Sequence, residues 1–196
     1  MRAKPGLLFL SACVCVLAMS GCASSGSAVQ GSETTAHASS GVITLDTPIH
    51  VHLFSTSDTD LGPASARDTA NAMVKSAPHL LAVDIVDGLR RAGFTEVTLD
   101  ESDGDPSAVA LNLTGRFTVL NPGNQNLRLW IGFGAGKSKV SVEGSVVSAT
   151  GAVLTEFSLS RSGLGWGASG PQLEDESGIL GHSVADELVE WSGVGN

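Results

Sequence analysis

Residues 76–93 read SAPHLLAVDIVDGLRRAG, and their apolar positions decide the fold. Leu81, Ile85, Leu89 and Ala92 recur on one side of a helix while Asp84, Asp87 and Arg91 share the other, the 3.6-residue pattern of a helix packed by one face. Ser76 is a fitting N-cap, Pro78 suits a first turn and Gly93 suits the stop. Ala70, Met73 and Ala77 continue the spacing backwards, so residues 66–77 either join this helix across Pro78 or precede it. Upstream, Ile49, Val51 and Leu53 alternate with His50 and His52, which predicts a half-buried strand.

Downstream, Phe94 to Leu99 is a short strand candidate and Asp100 to Pro106 a polar loop. The stretches Ala108–Leu120, Leu127–Phe133, Lys139–Ser148 and Val153–Ser160 alternate and are separated by Gly, Asn and Pro. Such strands in series predict antiparallel hairpins. Leu111, Leu113 and Phe117 point one way, as do Val140, Val142 and Val146, and then Val153, Phe157 and Leu159. A last helix is expected from Leu173 or Ser177 to Trp191, with Leu180, Val184, Leu188 and Trp191 on its stripe and a start weakened by Gly178 and Gly181. The order predicts an α+β domain over residues 42–196, a mostly antiparallel sheet with two helices packed on one face.

The N-terminus carries an address. Arg2 and Lys4 precede the uncharged run Leu7 to Met19, which is shorter than the about 20 residues needed to span a bilayer and matches a signal-peptide core. It ends in Met19-Ser20-Gly21-Cys22, which resembles the lipobox of bacterial lipoproteins. Leu10-Ser11-Ala12-Cys13 is a second tetrapeptide of this type, but cleavage there leaves too short an apolar stretch. The resemblance implies that residues 1–21 are a signal peptide and that Cys22 carries a thioether-linked diacylglycerol, usually with a third, amide-linked chain. Two or more acyl chains anchor a protein stably. Ala23 and Ser24 follow Cys22 instead of a retention Asp, so for a Gram-negative source the family rule implies the outer membrane, facing the periplasm. All three cysteines, Cys13, Cys15 and Cys22, lie in this region, which leaves no disulfide to the folded domain. Residues 22–41, rich in Ser, Gly, Ala and Thr, read as a lipidated flexible tether.

The formal net charge is −9, and loss of Arg2 and Lys4 with the signal leaves −11. A face for nucleic acid needs clustered Lys and Arg, and only Arg90-Arg91 and Lys137/Lys139 come close together here. No nucleic-acid partner is expected.

Several motifs invite chemistry. Gly132 to Ser138 (GFGAGKS) suggests a phosphate loop, but Ile131 stands where its first Gly belongs and a valine-rich strand comes next. Gly181-His182-Ser183-Val184-Ala185 resembles a nucleophile elbow, yet no His follows Ser183 to complete a triad. His50 and His52 face one side of a strand without a third ligand at motif spacing, and Asp100, Glu101, Asp103 and Asp105 lack the spacing of a calcium hand. We therefore expect no catalytic residues, no metal and no cofactor. In Ser162 to Pro171 (SGLGWGASGP), Trp166 stands among glycines, and loop aromatics are favoured contact residues. Trp166 is either such a partner contact or a lid on the core.

The stretch Ala108 to Phe157, above all Trp130 to Lys139 with its valine strand and Ala149-Thr150-Gly151-Ala152-Val153-Leu154, resembles bacterial lipoproteins classed as a domain of unknown function. The layout is more distantly similar to small periplasmic α+β domains of the TolB N-terminal type, which bind other proteins in envelope assemblies. The expectation is thus a non-enzymatic, lipid-anchored envelope protein that binds another envelope component, with a small-ligand or cation-binding module as the alternative.

Overall fold

The structure is a computed structural model that describes residues 29–30, 43–101, 110–123, 137–162 and 170–194. Its strands are β1 (Val29–Gln30), β2 (Ile49–His52), β3 (Val97–Asp100), β4 (Leu111–Asn121), β5 (Lys139–Val147) and β6 (Val153–Ser162), and its helices are α1 (Arg67–Arg91) and α2 (Gly170–Ser192), with a 3₁₀ turn at Ala64–Ala66. They form one sheet in the order β1-β6-β5-β4-β2-β3. The class is α+β, as expected.

The sheet is mixed, which corrects the expectation of a mostly antiparallel one. β4, β5, β6 and β1 pair antiparallel in sequence of contact, but β2 is parallel to both β3 and β4. The cause lies in the connections. Between β5 and β6 the chain turns at Ser148–Ala152, where Gly151 takes a φ of 83° and its N–H donates to the Ser148 carbonyl; so short a link can only reverse direction. Between β2 and β3 stands the whole of α1, which returns the chain to the starting end of the sheet and makes the strands parallel. The expected strand at Leu127–Phe133 lies outside the described residues.

α1 runs straight through Pro78, so Ser76 is not its N-cap, and Ala70, Met73 and Ala77 belong to its buried face. Pro78 cannot donate to the Val74 carbonyl, a cost of about 3 kcal/mol. Burial of Ala70, Met73 and Ala77 on the added turns offsets it. The helix ends where expected. Gly93 has a φ of 103°, its N–H donates to the Arg90 carbonyl and that of Phe94 to the Leu89 carbonyl. This is the glycine-terminated double bond of a Schellman cap, with buried Leu89 and Phe94 as its apolar clasp.

α2 starts at Gly170, before the expected Leu173 or Ser177. The glycines thought to weaken it are where it meets α1. A Cβ on Gly181 would lie 2.7 Å from the Leu81 carbonyl oxygen, one on Gly178 2.4 Å from Asp84 Oδ2, and one on Gly88 of α1 2.5 Å from the Ala185 Cβ. The helix backbones approach too closely for larger side chains there. Leu81, Ile85 and Leu89 of α1 then join Leu180, Val184 and Leu188 of α2 in one core with Val51, Leu113, Phe117, Val142 and Leu159 of the sheet, so both helices cover the same sheet face.

Within that core Phe54, Phe117 and Phe157 cluster, with Phe54 6.4 Å from each of the other two ring centres. Gly115 and Gly144, cross-strand partners on β4 and β5, floor the cluster. A Cβ on either would sit 2.4 Å from a ring carbon of Phe54 or Phe157 respectively. The β2 alternation stops at His52, so Leu53 is 38% exposed and Phe54 takes the inward place. Val153 likewise departs from its expected side, 45% exposed beside the hairpin turn, while Phe157 and Leu159 are buried.

Candidate functional site

The face of the sheet opposite the helices is polar, because the residues alternating with its core positions are His50, His52, Asp100, Asn112, Thr114, Arg116, Glu143 and Ser145. Strand pairing places them side by side. His52 pairs with Asp100, His50 with Asn112, Thr114 with Ser145 and Arg116 with Glu143.

His52 and Asn112 are the buried end of this row. His52 Nε2 lies 3.1 Å from Asn112 Oδ1, an acceptor, so that nitrogen carries the proton. The Asn112 amide donates in turn to the Ala110 carbonyl over 3.1 Å, and His52 Nδ1 lies 3.8 Å from Asp100 Oδ2. The imidazole is thus held between an amide and a carboxylate. These partners orient it. Farther along, the Arg116 guanidinium donates to Glu143 Oε2 from Nη2 at 2.9 Å and Nε at 3.3 Å, in an exposed pair.

A second polar cluster bridges the helices. His182 Nδ1 lies 3.1 Å from the Asp84 carbonyl oxygen and Nε2 3.8 Å from Asp84 Oδ1, with Arg91 Nη2 3.3 Å from the ring. Beside it Ser183 Oγ donates to the Ile179 carbonyl one turn back. Ser183 sits mid-helix, not on the strand-to-helix turn that a nucleophile elbow requires.

The other sequence candidates scatter. His50 shares the face with His52 as predicted, but among the described residues no three His, Cys, Asp or Glu side chains gather as a metal site would need. Asp100 ends β3 instead of opening a loop, Glu101 pairs with His79 at 3.3 Å on the surface, and Asp103 and Asp105 lie outside the described residues. Of the GFGAGKS segment, only Lys137 and Ser138 are described, and they lead directly into strand β5, without a helix N-terminus to face a phosphate. Cys22 and Trp166 also lie outside the described residues. Among those described, no helix is long and apolar enough to cross a membrane.

An apolar crevice lined by Ile43, Ile49, Leu89, Phe94, Leu188 and Trp191 opens where both helices end over the sheet, with a volume of about 20 Å³. That is room for a single water molecule, whereas small-molecule pockets hold several hundred Å³. On the surface turn after it, the Thr44 hydroxyl donates to Asp46 Oδ1 and holds that carboxyl below its ordinary value.

Sequence reasoning missed Asn112 and the Arg116–Glu143 pair, since each draws its meaning from a partner about 30 to 60 positions away. The helix-contact glycines did leave a trace, Gly178, Gly181 and Ala185 being small residues at one-turn spacing.

Residues 32–167 match the family described as Domain of unknown function (DUF4410). No curated protein matches the chain. Among solved structures, the PelC dodecamer from Paraburkholderia phytofirmans is similar at a TM-score of 0.54 and 12% identity, over 84% of this chain and 97% of that one. A point variant of that PelC dodecamer from the same organism gives 0.53 and 15%, over 79% and 95%. The likeness is one of fold.

Proposed function

The chain belongs to the DUF4410 family, and from that premise we propose that it is a lipid-anchored protein of the cell envelope whose α+β domain binds and assembles with other envelope components and performs no catalysis. The observation that carries the anchor is the sequence Met19-Ser20-Gly21-Cys22 at the end of a signal-type run, with no cysteine after it. In a Gram-negative source the anchored protein faces the periplasm from the outer membrane. The polar face fits a contact role, since exposed Arg116 and Glu143 with Thr114 and Ser145 offer donors and acceptors on a rigid sheet. The same fold in PelC belongs to a dodecamer, so copies of this chain stand among its candidate partners.

Crosslinking in intact cells followed by capture of the full chain tests this reading. It predicts a discrete envelope protein, or oligomers of the chain itself, in the crosslinked fraction. Trp166→Ala should weaken that capture while the melting temperature holds, because a loop indole at a contact contributes about 2 kcal/mol or more. A lowered melting temperature with unchanged capture would make Trp166 a core lid. A monomer with no reproducible neighbour would refute the assembly role.

A further inference from the structure

The two edges of the sheet are finished differently. β3 forms one of them. The Glu96 carbonyl just before it accepts from the Ile49 N–H of β2, so by alternation the Val97 carbonyl points away from β2, and the Arg90 guanidinium donates to it over 2.8 Å. An outward carbonyl already taken by a charged side chain is a poor place for a further strand to add. The other edge does take a strand. Val29 and Gln30 of β1 pair antiparallel with Arg161 and Ser160 of β6, although they lie far ahead of the domain in sequence.

The link from β1 to its own domain has ends that stand far apart. Thirteen chain steps separate Gln30 from Ile43. Ile43 lines the apolar crevice beside Ile49 and Leu111, at the starts of β2 and β4. That is four strand positions across the sheet from β1, or about 19 Å at the usual spacing. Along the strands, Ser160 stands seven residues beyond Val153, about 23 Å, and Val153 is level with the start of β4 because Val147 pairs with it and with Asn112. The straight-line separation is therefore about 30 Å. A Ser/Gly-rich chain of thirteen steps reaches at most about 45 Å but has an r.m.s. span of only about 18–22 Å. Pairing within one chain holds the link beyond that span, which lowers the effective concentration at which β1 meets its own β6. The return is a pairing of 2 residues.

We propose that β1 is an exchangeable strand: in the assembled protein Val29 and Gln30 of one copy pair with Arg161 and Ser160 of a neighbouring copy, so that this end of the β6 edge is an interface between copies of the chain. The backbone contacts are the same whichever chain supplies the strand. The choice therefore falls to the link, and a neighbour relieves it wherever its Ser160 lies nearer to Ile43 than the chain's own does. Passed one way from copy to copy, the strand joins copies head to tail, an arrangement that closes into a ring where the rotation allows. The exchange rests on the self-assembly reading of the proposed function.

Two differently tagged copies of the full chain, one Gln30→Cys and the other Ser160→Cys, co-expressed and treated with a mild oxidant, test it. The two positions are cross-strand partners, and the about 4.5–5.5 Å between Cα atoms of an antiparallel pair is a distance that a disulfide bridges. The expected result is a reducible product carrying both tags, severalfold more abundant than with Ser158→Cys in place of Ser160→Cys. The parent chain run beside them controls for Cys22 and should give none. Gln30→Cys/Ser160→Cys in one chain should give a ladder of linked copies. Val29→Cys with Arg161→Cys is the second pair if circular dichroism shows the first to disturb the fold. Closure within single chains, with no product carrying both tags, overturns the exchange, and so does failure of any such disulfide to form in folded variants. An amine-reactive crosslinker separates the two readings. Oligomers of the chain without the disulfide overturn the exchange and leave self-assembly standing, whereas a monomer overturns both.

Discussion

The two faces of the sheet are made by the same strands and built on opposite chemistry. Toward the helices β4, β5 and β6 present Leu113, Phe117, Val142, Phe157 and Leu159, all buried in one core. Away from the helices they present Thr114, Arg116, Glu143, Ser145 and Ser158, tied in pairs across the strands. The difference teaches where stability resides: the dry face holds the fold through area and close packing, and the polar face contributes little to it, which leaves it available for the contact role proposed above.

Substitutions break that contrast in order of size. Ile85→Asp puts an unpaired carboxylate among fully buried side chains, at a cost of several kcal/mol that exceeds the reserve of a domain of ordinary stability; the expected result is a chain with no cooperative thermal transition. A folded Ile85→Asp with the parent melting temperature would remove α1 from the core. Gly144→Ala drives a methyl to within 2.4 Å of Phe157 and 2.9 Å of the Thr114 carbonyl oxygen, so denaturant titration should report a loss of about 1–3 kcal/mol. Asn112→Ala belongs to the polar face but leaves buried His52 without its acceptor. It should cost about 1–3 kcal/mol, and this one polar-face position should behave like a core residue. Arg116→Ala, at an exposed ion pair, should change stability by no more than about 1 kcal/mol. A larger loss there would show that the polar face carries structural weight and would erase the distinction.

How much was legible in the residues depends on the range of the interactions. Leu81, Ile85 and Leu89 declare α1 by local periodicity, and Val140, Val142 and Val146 declare the inward side of β5 in the same way. The parallel placing of β2 is not local. Its IHVH sequence is compatible with either direction, and the choice is made by α1 returning the chain to the end of the sheet where β2 starts. Pro78 and Gly181 misled for a related reason, since both are poor helix residues taken alone. Burial of Met73 and Ala77, and the close approach of Gly181 to Leu81, outweigh the propensities. The polar face was legible only as alternation. His50 and His52 were placed on one side correctly, but Asn112 and Asp100 join His52 through strand pairing that no spacing announces.

The proposed anchor separates from all of this, because it would depend on a few residues ahead of the domain and on an enzyme that reads them. The proposed contacts in the envelope presuppose it. The intact mass of the protein extracted from membranes, with its N-terminal peptide sequenced by fragmentation, tests it most directly. The expected result is a chain beginning at Cys22 and carrying a diacylglycerol, with or without a third acyl chain, and Cys13 and Cys15 gone. A chain that keeps Met1 to Gly21, or one acylated at Cys13, would contradict it.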